Sequence, residues 1–198
     1  MAAPVVGVLA LQGDVIEHVE ALRRAGARVV EVRTPDDLAQ VEALVVPGGE
    51  STTVIRLIER FGLAGPIKDR VRAGMPFWGT CMGMIVAAHD VADLEQETLD
   101  LLDVTVRRNA FGRQVDSAEV PLTIPALGDE PFPAVFIRAP WIERAGPAVE
   151  TLAERDGRGV MVRQGNVLGT SFHPELTGDD RVHGYFLGML QPVPAPTR

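Results

Sequence analysis

The sequence contains little cysteine, little lysine and no excess of positive charge. Cys81 is its single cysteine, which excludes an intramolecular disulfide and gives no reason to expect an oxidising compartment. Lys68 is its single lysine, and the formal net charge of the 198 residues is −8. A negative balance of this size argues against nucleic acid or an anionic membrane as the main partner.

Long hydrophobic runs are also missing. No apolar run reaches the roughly 18–20 residues of a membrane-spanning helix, and the first residues lack the basic start of a secretory signal peptide. We therefore expect a cytoplasmic protein that does not contact a membrane. With 46% hydrophobic and 23% charged residues, the chain can form a single α/β domain with a sizeable core. We predict this domain over residues 1–191 and a Pro-rich, disordered tail over residues 192–198.

Three familiar ligand-binding patterns are absent as well. The first predicted strand-to-helix turn, LALQGD, lacks the G-x-G-x-x-G of dinucleotide-binding folds. No glycine-rich loop ends in Lys-Ser or Lys-Thr, so a P-loop is not supported. No spacing of His and Cys residues suits a metal site. We expect this chain to use neither a cofactor nor a metal.

Short apolar runs alternate with helical patterns over the first 80 residues, and each run is short enough to be a buried strand. We predict helices that begin at Asp14 and Thr34, the second with a capping box completed by Asp37. Predicted strands lie at residues 5–13, 27–32 and 75–81 and within 42–52, and further helices lie at residues 53–62 and 67–74. This alternation is typical of a parallel sheet covered by helices on both faces.

The second half of the sequence instead carries short strands joined by turns. Strand patterns lie at residues 103–109, 118–124 and 134–140 and recur from residue 149 onward. Gly165 and Asn166 predict a hairpin turn, and a helical pattern covers residues 180–190. We therefore predict a three-layer α/β/α domain with a mixed, mostly parallel central sheet.

The single cysteine lies in the segment Gly79-Thr80-Cys81-Met82-Gly83, between a predicted strand and an apolar run. This is the spacing of a nucleophile elbow with cysteine in place of serine, because a sharp strand-to-helix turn crowds its own backbone and needs small flanking residues. A helix N-terminus at the thiol favours the thiolate, and the N–H of Met82 could stabilise an oxyanion. A buried structural cysteine beside unrelated glycines explains the segment equally well.

Among the four histidines, His173 has the surroundings of a catalytic base. It follows an apolar strand directly, and in an extended stretch its side chain would project to the same side as that of Glu175. The carboxylate could then fix the tautomer of the imidazole and stabilise its protonated form. A surface turn with an incidental His and Glu is an equal alternative. We interpret His18, His89 and His183 as structural or solvent-facing.

The segment VVPGGEST carries two glycines, Gly48 and Gly49, directly after a predicted strand. Glycines allow a positive φ and a close approach of the backbone to a ligand. Their N–H groups could supply the second donor of an oxyanion hole, and one such donor is worth about 2.7–4 kcal/mol in the transition state. A phosphate-binding loop and an ordinary turn are the alternatives for this segment.

These three elements occur in a fixed order: the glycine loop, the cysteine elbow and His-x-Glu near the C-terminus. With them, the sequence resembles class I (triad-type) glutamine amidotransferases in LALQGDVIEH, VVPGGESTT, GTCMG, RRNAFGRQVDS, FIRAP and GTSFHPEL. Within that class it is similar to the glutaminase subunits of two-protein pyridoxal phosphate synthases, from about Val5 to Leu190. RNAFGRQVDS and FIRAP are the stretches specific to this group. The resemblance implies a flavodoxin-like fold.

The resemblance also implies roles for individual residues. Cys81 would be the nucleophile, with His173 and Glu175 as its relay. Glutamine would be held by Gly49, Glu50, Ser51, Arg108, Ile137 and Arg138. The oxyanion hole would be formed by backbone N–H groups of Gly48, Gly49 and Met82. Gln12 would lie near the entrance of the site or at the partner contact.

The residue types agree with these roles, because an arginine can bind the α-carboxylate of glutamine in a bidentate way. Glu50 could meet the α-ammonium group. One departure from the family pattern is Met82, where many relatives are expected to have alanine. Its backbone N–H is unchanged, so the oxyanion role is kept.

The implied activity is hydrolysis of L-glutamine to L-glutamate and ammonia through a γ-glutamyl thioester. The ammonia would pass to a (β/α)₈-barrel synthase subunit that forms a ring-shaped dodecamer decorated by glutaminase subunits. The free chain would be a monomer with weak activity that the partner increases. Two alternatives stay open. One is a glutaminase for another acceptor, as in imidazole glycerol phosphate synthesis, against which RNAFGRQVDS argues; the other is a non-catalytic, flavodoxin-like thiol sensor.

Overall fold

A computed structural model describes residues 2–92, 94–108 and 117–190 of the chain. Its helices are α1 (Val15–Arg24), α2 (Pro35–Ala39), α3 (Ser51–Arg60), α4 (Ala64–Arg72), α5 (Met82–Ala87) and α6 (Arg181–Gly188). Its strands are β1 (Val5–Leu9), β2 (Arg28–Val32), β3 (Ala43–Val46), β4 (Phe77–Thr80), β5 (Ala88–Val91), β6 (Leu102–Arg107), β7 (Ser117–Leu122), β8 (Phe132–Ile137), β9 (Trp141–Ala145), β10 (Glu150–Arg155), β11 (Arg158–Gln164) and β12 (Val167–Thr170). Two single 3-10 turns cover Pro125–Leu127 and Pro174–Leu176.

The central sheet has seven strands in the order β10-β11-β12-β4-β3-β1-β2. The five strands from β12 to β2 pair in parallel, whereas β10 and β11 pair antiparallel at one edge. The predicted mixed, mostly parallel sheet is therefore confirmed. Two smaller sheets, β5-β6-β9 and β7-β8, lie outside it.

The central strands are buried on both faces, and β3 shows how the two faces are filled. Leu44 and Val46 point into one core, which also contains the apolar faces of α2, α3, α4 and α5. Ala43 and Val45 point to the opposite side, into a second core formed with α1, α6 and the β7-β8 sheet. Successive side chains of a strand point to opposite faces, so a fully apolar strand requires a layer on each side. The three-layer architecture is confirmed.

Helix starts follow the sequence signals in part. Thr34 and Asp37 form the predicted capping box at α2. Asp14 stands at the N-cap position of α1, but its side chain makes no capping hydrogen bond. That part of the prediction is wrong, because the carboxylate of Asp14 is directed to His173 instead.

The apolar run after Cys81 divides into a helix and a strand. The helix α5 ends at Ala87 and the chain continues directly as β5, so His89 lies in a strand. The His89 side chain is exposed, and its Nδ1 lies 2.8 Å from Oδ1 of Asp100. Periodicity cannot separate a buried helix from a buried strand within a continuous apolar run.

Toward the C-terminus the hairpin turn at Gly165 and Asn166 is confirmed, with a positive φ of 58° at Gly165. The terminal helix α6 is shorter than predicted, and Val182 and Phe186 are its buried apolar residues. The proposed tail over residues 192–198 and most of RNAFGRQVDS lie outside the described residues. None of the helices in the described ranges combines the length and apolar character needed to cross a bilayer.

Candidate active site

Cys81 stands on a sharp turn between β4 and α5. Its backbone has the strained values φ 48° and ψ −103°, and the residue is almost completely buried. A Cβ on Gly79 would overlap the backbone of Gly83, and a Cβ on Gly83 would overlap the carbonyl oxygen of Val46. Glycine is therefore needed at both flanks, and the predicted nucleophile elbow has the expected geometry.

His173 reaches Cys81 because β12 and β4 are parallel neighbours whose carboxyl ends coincide. Thr170 is in register with Thr80, and the N–H of Cys81 donates to the carbonyl of Thr170 at 2.7 Å. The chain continues from β12 to His173, which precedes the 3-10 turn Pro174–Leu176. Cys81 and His173, which are 92 positions apart in the sequence, are thus brought together at the carboxyl ends of two central strands.

His173 and Glu175 form a buried pair. Nδ1 of His173 lies 2.8 Å from Oε1 of Glu175, and the Glu175 side chain is fully buried. The predicted contact is present, but its local reason is different. His173 stands at the N-cap position of the 3-10 turn and Glu175 lies within that turn, so strand alternation does not explain their contact.

The electrostatics of this pair favour a protonated imidazole. Burial lowers the pKa of His173, but hydrogen bonds with Asp14, Cys81 and Glu175 outweigh that effect and raise it to about 12. Burial raises the pKa of the Glu175 carboxyl, and the hydrogen bond from His173 opposes this. A proton held on His173 beside a thiol matches an imidazolium–thiolate pair, which is the reactive form of a nucleophilic cysteine.

The glycine loop after β3 packs directly on the relay. A Cβ on Gly48 would stand 2.5 Å from Cε1 of His173, and a Cβ on Gly49 would stand 2.5 Å from Oε1 of Gln12. Neither glycine has a positive φ, so of the two reasons considered for them, that one does not apply. Glycine is needed at both positions because the backbone there packs closely against the side chains of His173 and Gln12. The carbonyl of Gly48 accepts from the N–H of Asp14 at 3.1 Å.

A cavity of about 460 Å³ opens above these groups. It is lined by Gln12, Asp14, Gly49, Glu50, Cys81, Met82, Ile85, Arg108, Ile137, Arg138, His173 and Leu176. Within it Arg108 pairs with Glu50 at 3.1 Å, and Sγ of Cys81 lies 3.9 Å from the carbonyl oxygen of Ile137. Oε1 of Gln12 accepts from the N–H of Glu50 at 2.7 Å.

Three predicted site residues, Gly48, Ser51 and Glu175, do not line this cavity. The Glu175 side chain is fully buried and contacts His173. Gly48 packs against His173 but does not line the cavity. Ser51 is buried at the start of α3, where its hydroxyl donates to Oε1 of Gln96 at 2.8 Å. The assignment of Ser51 to glutamine binding stays a prediction.

Several cavity and relay contacts were not foreseen from the sequence. Asp14, read as a helix cap, has Oδ2 at 3.3 Å from Nδ1 of His173. Ile85 and Leu176 line the cavity. His18, read as structural or solvent-facing, is buried with Nε2 at 3.3 Å from Oε2 of Glu175. The spacing of Asp14 and His18 is the one available signal, because residues four apart lie on the same helix face.

Asp14, His173 and Glu175 also offer three ligand atoms within 4.8 Å of one another, a geometry that could hold a metal ion. Nδ1 of His173 is already hydrogen-bonded to Glu175, however. A cation there would replace the proton that the pair shares, and no spacing of His and Cys residues in the sequence suits a metal site. We therefore interpret the cluster as part of the relay.

Comparisons with known proteins identify the family to which the chain belongs. The chain matches the SNO glutamine amidotransferase family over residues 8–191. It is 57% identical over 188 residues to a pyridoxal 5'-phosphate synthase subunit PdxT of Herpetosiphon aurantiacus, covering 93% of this chain and 99% of the relative. The corresponding subunit of Streptomyces avermitilis is 55% identical over 193 residues, with 96% of each chain covered.

A solved structure described as a glutamine amidotransferase is 49% identical and superposes with a TM-score of 0.89, covering 93% of this chain and 98% of the other. The sequence, the fold and the arrangement around Cys81 therefore lead to one conclusion. The chain belongs to the SNO glutamine amidotransferase family.

Proposed function

We propose that this chain is the glutaminase subunit of a pyridoxal 5'-phosphate synthase. It hydrolyses L-glutamine to L-glutamate and ammonia and passes the ammonia to a (β/α)₈-barrel synthase subunit. The observation that carries the proposal is the buried His173–Glu175 pair, 2.8 Å between Nδ1 and Oε1, beside a cysteine on an elbow. The names of relatives that are 55–57% identical over nearly the whole chain support the acceptor.

The reaction begins with the Cys81 thiolate attacking the side-chain amide carbon of glutamine. His173, which has taken the thiol proton, donates it to the departing ammonia. Glu175 orients the imidazole and stabilises its protonated form. A γ-glutamyl thioester results, and a water molecule activated by His173 hydrolyses it to glutamate.

Two backbone N–H groups stabilise the oxyanion in both steps. One comes from Met82, the first residue of α5, and the other from the Gly48–Gly49 loop. The carbonyl of Gly48 accepts from Asp14, so turning the Gly48–Gly49 peptide would break that hydrogen bond. We propose that docking of the synthase subunit turns this peptide and so completes the oxyanion hole. A free chain with full activity would contradict this step.

The charged groups of the cavity bind the amino-acid end of glutamine. Arg108 and Arg138 bind its α-carboxylate and Glu50 its α-ammonium, with Gly49, Ser51 and Ile137 completing the site. The Arg108–Glu50 pair supports this assignment, because its two partners have the charges that the substrate needs and face one cavity.

The synthase subunit docks on the face that surrounds the cavity mouth. Gln12 lines the mouth, and Ile16, in the first turn of α1, leaves 68% of its surface exposed although it is apolar. The proposed assembly is a ring-shaped dodecamer of synthase subunits decorated by this chain, in the cytoplasm. The free chain is a monomer whose single domain covers residues 1–191.

The test is a glutaminase assay with and without the purified synthase subunit, comparing wild type with Cys81→Ala and His173→Ala. We expect glutamate formation that the synthase increases and that both substitutions abolish. Glutamate formation by Cys81→Ala would refute the mechanism. Labelling by an electrophilic glutamine analogue separates the alternatives: a thiol sensor would leave Cys81 unlabelled even with synthase present, and a glutaminase for another acceptor would need a different partner.

A further inference from the structure

A second buried imidazole lies behind the relay. His18, from the middle of α1, is completely buried, and its Nε2 lies 3.3 Å from Oε2 of Glu175 and 3.0 Å from the hydroxyl of Thr80. Its other nitrogen, Nδ1, lies 3.2 Å from Nε2 of His183 in α6. Four buried side chains thus connect α6, α1, the end of β4 and the His173–Glu175 pair.

The carboxylate of Glu175 needs this second group. Its Oε1 accepts from His173, while Oε2 is fully buried and makes no hydrogen bond of good geometry with any described residue. An unpaired charged oxygen in such a place costs several kcal/mol or forces the group to take a proton. Nε2 of His18 lies 3.3 Å from Oε2 and is a nitrogen from which this oxygen can accept a hydrogen bond.

Burial favours the neutral form of both histidines behind the relay. Burial, followed by the charges of His183 and His173, lowers the pKa of His18 well below its usual value. Burial also lowers the pKa of His183 to about 4, outweighing the opposite effect of Asp180. A neutral imidazole carries one N–H only, so the tautomer of His18 decides whether its Nε2 presents an N–H or a lone pair to Glu175.

The contacts favour the proton on Nε2 of His18. With that tautomer the N–H of Nε2 is directed to the Thr80 hydroxyl at 3.0 Å, Oε2 of Glu175 lies 3.3 Å from the same nitrogen, and Nδ1 accepts from Nε2–H of His183. The other tautomer would direct a lone pair at the carboxylate. It would also leave an N–H on Nδ1 of His183, which has no hydrogen-bond partner among the described residues, and buried N–H groups without a partner are rare.

We propose that His18 is a positioning residue that donates its Nε2–H to Oε2 of Glu175, with His183 fixing its tautomer. The donor chain therefore runs from His183 to His18 to Glu175, and the carboxylate it holds ionised accepts from His173. This inference rests on the proposed Cys81–His173–Glu175 relay. The competing explanation is that His18 and His183 only fill the core beside Trp78, against which both rings pack edge-on at 5.0–5.5 Å.

The charged groups around Glu175 determine the direction of the pH effect. Burial, which has the largest effect, and Asp14 raise the pKa of the Glu175 carboxyl. His173 and the backbone N–H of Glu175 lower it. Without the His18 donor, fewer interactions counter the rise that burial causes in the pKa of the Glu175 carboxyl. Glu175 should therefore take up a proton at higher pH than in wild type. A protonated Glu175 no longer supports the His173 imidazolium, and the Cys81 thiolate then forms only at higher pH.

The experiment compares His18→Gln with His18→Leu in the full-length chain. Glutamine places an N–H on an Nε2 that is as many bonds from Cα as the Nε2 of histidine, whereas leucine fills a similar volume without a donor. The first readout is the rate of iodoacetamide alkylation against pH in the free chain, in which Cys81 is the only thiol. The second is glutaminase activity with the synthase subunit.

We expect the alkylation midpoint of His18→Leu to rise by about one to two pH units, because a hydrogen bond to a charged group is lost. Its kcat should fall about 10- to 100-fold, at unchanged KM, since His18 does not line the cavity. The acidic limb of the kcat profile should move to higher pH, and His18→Gln should restore most of each change.

A His18→Leu variant with wild-type alkylation and a wild-type pH profile would overturn the inference, as would equal loss in the Gln and Leu variants. If His18→Leu fails to fold, His183→Gln and His183→Leu decide, because only the first keeps the Nε2–H donor; equal behaviour of that pair would also refute the donor chain. Failure of the proposed function would look different: wild type itself would form no glutamate with the synthase.

Discussion

Gly48 and His173 are so close that a methyl group on Gly48 would stand 2.5 Å from Cε1 of the imidazole. The Gly48→Ala variant must therefore displace the imidazole ring or the loop that carries residue 48. We expect kcat with the synthase to fall about 100-fold, since displacements of the order of 1 Å have such effects. Gly65→Ala is the control, because a Cβ there meets nothing within 4 Å. Wild-type turnover by Gly48→Ala would contradict the close packing.

The elbow makes a prediction for stability. In Gly83→Ala the added methyl group would overlap the carbonyl oxygen of Val46, which is backbone and cannot rotate away. We expect the free energy of unfolding, measured by chemical denaturation, to fall by about 1–3 kcal/mol. Gly184→Ala on an exposed face of α6 should leave it unchanged or raise it, by about 0.4–1 kcal/mol. Equal stability of the two variants would refute this account of the elbow.

The protonation of His173 can be measured directly. Its pKa is raised from 6.5 to about 12, so the ring should keep its proton throughout the neutral range. Cys81→Ala and Asp14→Asn each remove one of the partners that raise this pKa, and in both variants the ring should lose its proton at lower pH. Ring ¹⁵N chemical shifts followed against pH are the measurement. A neutral His173 ring in wild type at pH 7 would show that the paired state does not exist.

Substrate binding can be tested with two adjacent arginines. Arg108 lines the cavity, whereas Arg107 pairs with Glu143 and does not line it. We expect Arg108→Gln to raise KM for glutamine about 10- to 150-fold, the value of a charge-assisted hydrogen bond of about 1.5–3 kcal/mol. Arg107→Gln should keep the wild-type KM. The same KM in both variants would remove Arg108 from the glutamine site.

The proposed docking face predicts a loss of partner affinity. A lysine in place of Ile16 would put a charge where α1 now carries an apolar side chain that is 68% exposed. We expect the Kd for the synthase subunit, measured by calorimetry, to rise at least about tenfold. Phe61→Lys is the matched control, since Phe61 is 47% exposed but follows the far end of α3. Equal Kd values would move the interface elsewhere.

The chemistry of the site was predictable where it depends on residue identity within a short segment. Gly79, Cys81 and Gly83 define an elbow because backbone crowding there is local. The neighbourhood of His173 and Glu175 was also predictable, although its reason is a 3-10 turn and not an extended chain. For the glycines of the loop after β3, a positive φ and a close approach of the backbone were both considered. Only close approach applies, and it is to Gln12 and His173 rather than to a ligand.

The amino-acid sequence by itself determined the alternating architecture, and it singled out Cys81, His173 and Glu175 as candidates, because apolar periodicity and short-range backbone constraints depend on consecutive residues. The tertiary structure alone decided what surrounds them. It directs Asp14 to His173 instead of its own helix, and it brings His18 and His183 from α1 and α6 behind Glu175. Those contacts join residues up to 165 positions apart, and they depend on the packing of two helices against one face of the sheet.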